Sequence, residues 1–249
     1  MFDKEIENCC KILRLSKNFT DNAQTINAES NQEYLSKLLA EEITYRESGR
    51  AAKLIKSAGF YSLKSFNDFR FDEVNLPGNL SSEDLKNLDF LEKKMNIIMY
   101  GRTGTGKTML STALGILACQ RGLHVKFFRT ATLINLLSES KKNGNLEKIY
   151  RKLNLSSLIV LDEFGYVPYD RTGSQLLFDY LSEIHEKKSV ILNTNLEFSR
   201  WVNVLYDEQM TAALIGRLTH HCHLILFPGE NNRLKESSIN ELYSSISKE

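Results

Sequence analysis

A glycine-rich window at residues 96–115, NIIMYGRTGTGKTMLSTALG, limits the folds open to this chain. It holds four of the 13 glycines, and three of these lie between an apolar run typical of a β-strand and a run typical of an amphipathic helix. In the pattern Gly-x-x-x-x-Gly-Lys-Thr, glycines let successive backbone N–H groups turn around a phosphate, and the following helix adds the positive end of its dipole. The window therefore predicts a phosphate-binding loop between a strand and a helix.

Strand-like and helix-like segments alternate from Met95 onward. The apolar, strand-like runs lie at 96–100, 124–128, 157–161, 189–193 and 223–227. Strands that are apolar throughout are typical of a parallel sheet covered by helices on both faces. We therefore predict an α/β fold of the P-loop NTPase class, with a five-stranded parallel sheet between helices.

The part of the chain before residue 95 is predicted to be mainly helical. Residues 1–18 and 31–57 have helical spacing, and a short helix is expected near 83–93 with Ser82 as its N-cap. We predict two domains: a small helical domain at 1–65 that binds DNA or a protein partner, and a nucleotide-binding domain at 66–249.

The composition favours a cytoplasmic globular protein. The chain is 42% hydrophobic and 25% charged, and its net charge of +1 does not by itself indicate a polyanionic partner. Its four cysteines lack the spacing of a disulfide framework, so we expect reduced thiols. No uncharged apolar run reaches the ~18 residues of a membrane span, so we expect no membrane association.

The ends of two strands supply candidate groups for binding and hydrolysing ATP. Lys107 is expected to reach the β- and γ-phosphates, while Thr108 and Asp162 are expected to hold Mg²⁺. Glu163, the second acid after the run SSLIVL, is the candidate general base that activates water. The predicted nucleotide-binding residues of the loop are Gly101, Arg102, Thr103, Gly104, Thr105, Gly106, Lys107, Thr108 and Met109.

Further polar candidates follow the later strands and helices. Asn195, with Thr194 as second choice, is the candidate for orienting the attacking water. Arg217, near the end of a predicted helix, is either a surface cation that offsets the helix dipole or a finger supplied to a neighbouring subunit's γ-phosphate. The run HHCH at 220–223 contains metal-binding residue types, but at most two of them share one side of a strand, so we predict no metal site there.

Several motifs recur in one order over roughly residues 30–240: GRTGTGKT, LIVLDEFGYVP, NTNLEFSRW, AALIGRLTHHCHLI and GENNRLKES. In these motifs the chain resembles the IstB-like helper ATPases of bacterial insertion sequences, which are AAA+ proteins related to the DnaC helicase loaders. The resemblance implies a homo-oligomer that binds ATP, assembles on double-stranded DNA with little sequence preference, and helps the element's own transposase to select target DNA. It also implies that Arg217 is an arginine finger, which contacts the nucleotide of a neighbouring subunit, and that Arg233, after the last strand, approaches the nucleotide. A chain ending at residue 249 leaves little room for a C-terminal helical lid.

The basic segment RESGRAAKLIKSAGFYSLK at 46–64 is the candidate DNA-binding surface. Arg46, Arg50 and Lys53 repeat at i, i+4 and i+7, which places them on one face of a helix as a basic stripe. Alone, such a run is more often a solvated helix face, but the family resemblance favours contacts with DNA phosphates. If each of the five cations neutralises one phosphate, log K falls with log salt at a slope of roughly −4 to −5 per subunit. The five are Arg46, Arg50, Lys53, Lys56 and Lys64.

Two other functions would use the same nucleotide site. One is a replication adaptor that loads a hexameric helicase and uses ATP as a timer. The other is a metabolic kinase that transfers phosphate to a small acceptor. The identity of the partner that docks on residues 1–60 distinguishes a helicase-loading adaptor from a transposition helper. The reaction product distinguishes a metabolic kinase from an ATPase.

Overall fold

The computed structural model describes residues 2–229 and has a five-stranded parallel sheet at its centre. The strands are β1 (Asn96–Gly101), β2 (Val125–Arg129), β3 (Leu158–Phe164), β4 (Ser189–Thr194) and β5 (Cys222–Phe227). Their order across the sheet is β2-β3-β4-β1-β5, so the strand that enters the glycine-rich loop pairs with β4 on one side and β5 on the other. The predicted fold class is confirmed.

Helices precede the sheet and connect its strands. The N-terminal helices are α1 (Phe2–Ile12), α2 (Lys17–Ala23), α3 (Asn31–Ala58), α4 (Ser82–Asn87) and α5 (Asp89–Glu92). Those between strands are α6 (Lys107–Gln120), α7 (Thr130–Lys142), α8 (Leu146–Asn154), α9 (Arg171–Ile184), α10 (Val202–Leu205) and α11 (Glu208–His220). Short 3₁₀ turns lie at Phe66–Asp68, Phe71–Glu73 and Phe198–Arg200. Within residues 2–229, no helix combines the length and the apolar character that a membrane crossing requires.

The two faces of the sheet bury two separate apolar clusters, because successive side chains of a strand point to opposite faces. In β1, Ile97 and Met99 belong to the cluster formed with α3, α4 and α6, whereas Ile98 belongs to the cluster formed with α7 to α11. Since helices cover both faces, the loops at the carboxyl ends of the strands are where a ligand can be bound.

Helix α3 connects the N-terminal helices to the sheet. It contacts α6 and β2, and Leu54 and Ala58 are buried in the same cluster as β1. Phe60 then packs against Gly115 of α6, where a Cβ atom would lie only 2.8 Å from the Phe60 ring. These contacts join the end of α3 to the nucleotide-binding domain, and the domain boundary predicted at residue 65 stays a prediction.

The connection before β1 differs from the single helix predicted at 83–93. Leu88 adopts a left-handed conformation with φ 61° and separates α4 from α5. The N-cap is Ser81, not Ser82: the Ser81 hydroxyl accepts from the Asp84 N–H at 3.1 Å, and the Asp84 carboxylate accepts from the Ser81 N–H at 2.7 Å. The predicted cap was wrong because two adjacent serines carry the same group, and the reciprocal bond to Asp84 selects the first.

Candidate nucleotide-binding site

The glycine-rich loop between β1 and α6 lines a cavity of about 740 Å³ at the carboxyl ends of the strands. Gly104 and Gly106 have φ values of 82° and 101°, a region that L side chains rarely adopt, and this permits the tight turn. Gly101 is required for another reason, since a Cβ atom there would lie 2.4 Å from the Phe227 carbonyl oxygen of β5. All the predicted loop residues from Thr103 to Met109 line the cavity.

Lys107, the first residue of α6, places a positive charge inside the loop. Its side chain is buried, and its ammonium donates to the carbonyl oxygens of Gly101 and Arg102, each at 2.6 Å. The Thr105 hydroxyl donates to the same Arg102 carbonyl at 2.8 Å. A buried ammonium at a helix N-terminus, next to main-chain N–H groups, is suited to an anion. The loop therefore has the charge and the donors that a polyphosphate requires.

A carboxylate and a hydroxyl face each other across this cavity. The Thr108 hydroxyl lies 3.0 and 3.2 Å from the two Asp162 carboxylate oxygens, and Asp162 is only 6% exposed. The Asn193 amide donates to Asp162 at 3.0 Å and to the Ser111 hydroxyl at 2.8 Å. The Asn193 carbonyl oxygen is buried without a hydrogen-bond partner among residues 2–229. Clustered oxygen donors of this kind fit Mg²⁺, so Thr108 and Asp162 suit the role predicted for them.

A bulge in β3 brings both acids of the predicted pair to the cavity. Leu161 pairs with Leu192 but Phe164 pairs with Thr194, so β3 contains one residue more than β4 between these pairs. Glu163 lies within the bulge with φ 57°. In a regular strand, adjacent side chains would point to opposite faces, whereas both acids here line the same cavity. Asp162 is buried and Glu163 is exposed, as suits a metal ligand and a base that meets water.

Glu163 is not isolated at the cavity mouth. Its carboxylate lies 3.4 Å from the Arg129 guanidinium at the end of β2. The same guanidinium lies 4.6 Å from the ring centre of Tyr61, which follows α3. Both members of the ion pair are about half exposed, so the pair contributes only about 0–1 kcal/mol and can be displaced readily.

The end of β4 contributes more to the site than the sequence pattern predicted. Asn195, the first choice for orienting water, is exposed and lines the cavity. Thr194, the second choice, is buried and donates to the Phe164 carbonyl at 2.9 Å, so its hydroxyl holds β3 and β4 together. Asn193, which was not predicted, contacts Asp162 directly. A polar residue in an otherwise apolar central strand was the signal that could have identified it.

Arg217 does not line the cavity at the glycine-rich loop. Its guanidinium donates to the Ser182 hydroxyl of α9 at 2.6 Å and lies 4.8 Å from the ring centre of Phe178. The position predicted for Arg217, at the end of α11, is observed, and its role between subunits stays a prediction. Arg233 lies outside the described residues.

Two of the candidate DNA-binding cations are held by other parts of the chain. Arg46 pairs with the buried Glu42 at 2.7 Å, and it also donates to the Arg14 carbonyl. Burial opposes ionisation of Glu42, but hydrogen bonds from Ser16 and from Arg46 lower the pKa of this carboxyl. Arg50 donates to a carbonyl in the turn after α6, at 3.4 Å. Arg46 is therefore occupied by an ion pair within the protein, whereas Arg50 makes one long hydrogen bond and stays available to a phosphate.

The other three candidates differ in position. Lys53 and Lys56 are exposed on α3 and make no ion pair within residues 2–229. Lys64 lies after the end of α3 and lines the nucleotide cavity, so it does not extend the basic stripe of that helix. The cations of α3 that remain available for phosphates are Arg50, Lys53 and Lys56.

The sequence is similar to a well-defined group of proteins. A family model described as IstB-like ATP binding protein matches residues 11–240. A protein named as an ATP-binding protein of insertion sequence IS232, from Bacillus thuringiensis subsp. berliner, is 32% identical over 82% of this chain and 82% of its own length. The corresponding protein of insertion sequence IS21, from Pseudomonas aeruginosa, is 32% identical over 82% of this chain and 77% of its own.

Solved structures share the fold at lower identity. DnaI superposes with a TM-score of 0.54 at 16% identity, covering 73% of this chain and 93% of that one. DnaA from Aquifex aeolicus, bound to AMPPCP, superposes with a TM-score of 0.55 at 20% identity, covering 72% of this chain and 57% of that one. These similarities support the assignment of the fold.

Proposed function

The chain belongs to the family of IstB-like ATP-binding proteins, and from this we propose that it is an ATP-hydrolysing regulator that assembles on double-stranded DNA and helps a transposase to select target DNA. The observation that carries the proposal is the cavity in which Lys107, Asp162 and Glu163 converge. The transposition role is supported by relatives that are named as ATP-binding proteins of insertion sequences.

The groups of the cavity have separate roles in the proposed reaction. Main-chain N–H groups of the loop and the Lys107 ammonium hold the β- and γ-phosphates, while Thr108 and Asp162 hold Mg²⁺. A cation held by Thr108 and Asp162 would neutralise charge that develops on the phosphate oxygens. Glu163 accepts the proton of the attacking water, and Asn195 orients that water. The products are ADP and inorganic phosphate, so phosphate transfer to a small acceptor would contradict the proposal.

Contacts after the end of α3 connect the candidate DNA-binding helix to Glu163, the proposed catalytic base. Arg129 contacts both Tyr61 and Glu163, and the Arg129 N–H lies 3.4 Å from the Tyr61 hydroxyl. DNA bound along α3 would shift Tyr61, and Arg129, which contacts Tyr61, would move with it. This movement would change how much of the Glu163 carboxylate is exposed to water. We propose on this basis that DNA stimulates hydrolysis.

DNA binding is expected to depend on salt through three cations of α3 in each subunit. Contacts by Arg50, Lys53 and Lys56 predict a slope of log K against log salt of about −3 per subunit, shallower than the five-cation estimate, because Arg46 and Lys64 have other surroundings. Replacing both Lys53 and Lys56 by alanine should reduce the slope by about 2. Fluorescence anisotropy with labelled duplex DNA at several salt concentrations measures it.

A matched control removes two lysines elsewhere. Lys141 and Lys142 are exposed in the last turn of α7, and their double alanine variant should keep the wild-type slope. A wild-type slope near zero, or an equal change in both double variants, would exclude α3 as the DNA-binding surface.

Arg217 is proposed to complete the active site of a neighbouring subunit. Arg217→Ala should leave ATP binding intact and slow hydrolysis by the assembled protein about 1,000-fold or more. Mixing this variant with Lys107→Ala subunits should restore part of the activity, because a subunit with a normal loop can then receive an intact Arg217 from its neighbour. Release of inorganic phosphate by the mixture measures this, and Arg151→Ala on the exposed surface of α8 is the control. If light scattering shows that both variants enter one assembly on DNA, a mixture as inactive as the two variants alone would rule out a role across the interface.

A binding experiment separates the proposal from a helicase-loading role. The purified protein, with ATP and duplex DNA, should retain the integrase-like transposase encoded beside it and should not retain a replicative helicase. Retention of the helicase alone would assign the chain to replication while leaving the nucleotide site unchanged.

A further inference from the structure

Three histidines and a glutamate meet at the edge of the sheet opposite the nucleotide cavity. Helix α9 ends just before His185 and Glu186, which lead into β4. Helix α11 ends at His220, and His221 follows directly before β5. In a parallel sheet all strands begin at the same edge, so these two helix ends lie together although they are far apart in the sequence.

The ring nitrogens of all three histidines approach one carboxylate oxygen. The Glu186 oxygen lies 3.3 Å from His220 Nδ1, 3.7 Å from His185 Nε2 and 3.9 Å from His221 Nε2. The ligand atoms of His185, Glu186 and His220 all lie within 4.8 Å of one another. Ligand atoms at 2.0–2.1 Å from a tetrahedral metal ion would be about 3.4 Å apart, so His185, Glu186 and His220 need only small side-chain shifts to bind one ion.

We propose that His185, Glu186 and His220 bind one divalent transition-metal ion of the zinc class. Imidazole nitrogens with one carboxylate suit zinc and its neighbours and do not suit Mg²⁺ or Ca²⁺, which take oxygen ligands. The side chains of Glu186 and His220 are more than half exposed and that of His185 is one quarter exposed, so an ion has access to them from solvent.

Neighbouring groups of the run at 220–223 do not belong to this site. The Cys222 thiol donates to the His223 carbonyl at 3.4 Å, and its sulfur is not one of the ligand atoms that lie together at Glu186. His223 is buried on the other side of β5, near Lys93 and Asp84. The run at 220–223 therefore supplies His220, and the other two ligands come from the loop after α9.

The proposed ion would join the end of α9 to the end of α11. Arg217 lies one turn before His220 on α11 and donates to Ser182 on α9 at 2.6 Å. A metal bound at these helix ends would fix the helix pair that carries Arg217. The site is independent of the nucleotide cavity and does not rest on the proposed function.

Titration calorimetry with zinc chloride tests the site on the full chain, after treatment with a chelator and without nucleotide. One zinc ion per chain is expected for the wild type. His185→Ala and His220→Ala should each lower the affinity for zinc by at least about 100-fold. Removing a group that only orients a metal ligand lowers the affinity about 10- to 100-fold, and these variants remove the ligand itself. His124→Ala, which removes an exposed histidine outside the cluster, should bind zinc like the wild type.

The same titration can contradict the proposal in three ways. These are no zinc uptake by the wild type, equal uptake by all three histidine variants, and loss of uptake in Cys9→Ser, which would place the ion on an exposed thiol. Thermal unfolding gives a second readout: zinc should raise the melting temperature of the wild type and of His124→Ala, but not of His220→Ala.

Discussion

Lys107→Ala is expected to abolish ATP binding and the assembly that depends on it. The ammonium is buried within the loop and held by two loop carbonyls, from which it can turn to the phosphates. Two charge-assisted hydrogen bonds to phosphate contribute about 3–6 kcal/mol together, so their loss weakens binding about 100- to 10,000-fold. Calorimetric titration with ATP and Mg²⁺ measures the affinity, and light scattering with DNA measures the assembly.

Lys142→Ala is the control for this variant, because it removes an exposed lysine at the end of α7. Its affinity for ATP should equal that of the wild type. Circular dichroism should show that Lys107→Ala remains folded. If folded Lys107→Ala binds ATP within a few-fold of the wild type, the loop is not the phosphate site.

Glu163→Gln is expected to preserve ATP binding and to slow hydrolysis about 100- to 10,000-fold. Glutamine has the shape of glutamate but cannot accept the proton of the attacking water. Because Asp162 and Thr108 are unchanged, the nucleotide stays bound, and a long-lived ATP-bound oligomer should accumulate on DNA. Release of inorganic phosphate, measured beside the binding affinity, separates the two steps.

Arg129→Ala controls for the ion pair that Glu163→Gln also weakens. This variant keeps the carboxylate, and the exposed pair contributes only about 0–1 kcal/mol, so it should continue to hydrolyse ATP. Wild-type hydrolysis by Glu163→Gln would show that another group is the base. Loss of hydrolysis in both variants would assign the effect to Arg129.

Periodicity predicted the sheet well because its strands are apolar on both sides. Ile97, Ile98 and Met99 are all almost fully buried, which a strand covered by helices on both faces requires. Periodicity could not predict the break between α4 and α5, because it depends on a left-handed leucine, and no local pattern marks Leu88 as such a residue.

The candidate site was predictable where one motif carries the chemistry, as in the loop that contains Lys107. It was less predictable where several strands meet. Asn193 contacts Asp162 only because β3 pairs with β4, a pairing between strands about 30 residues apart. The bulge at Glu163 likewise comes from the pairing register, which an isolated strand sequence does not specify.

The histidine cluster was also not predictable from sequence, because it combines residues from two separate segments of the chain. Alternation predicted that at most two side chains of the run HHCH share one side of a strand, and His223 is buried apart from His220 and His221, which lie near Glu186. The glutamate comes from a different loop, and only the packing of α9 beside α11 brings Glu186 to His220. The basic stripe changed for a comparable reason, since a charge pattern does not reveal that Arg46 is paired with a buried carboxylate.

Binding of a non-hydrolysable ATP analogue with Mg²⁺, measured by titration calorimetry on the purified chain, tests the central claim most directly. One nucleotide per chain is predicted, enclosed by the loop amides and Lys107 with Asp162 opposite. No heat of binding with up to about 1 mM analogue, which corresponds to an interaction weaker than about 4 kcal/mol, would contradict the nucleotide site and with it the proposed function.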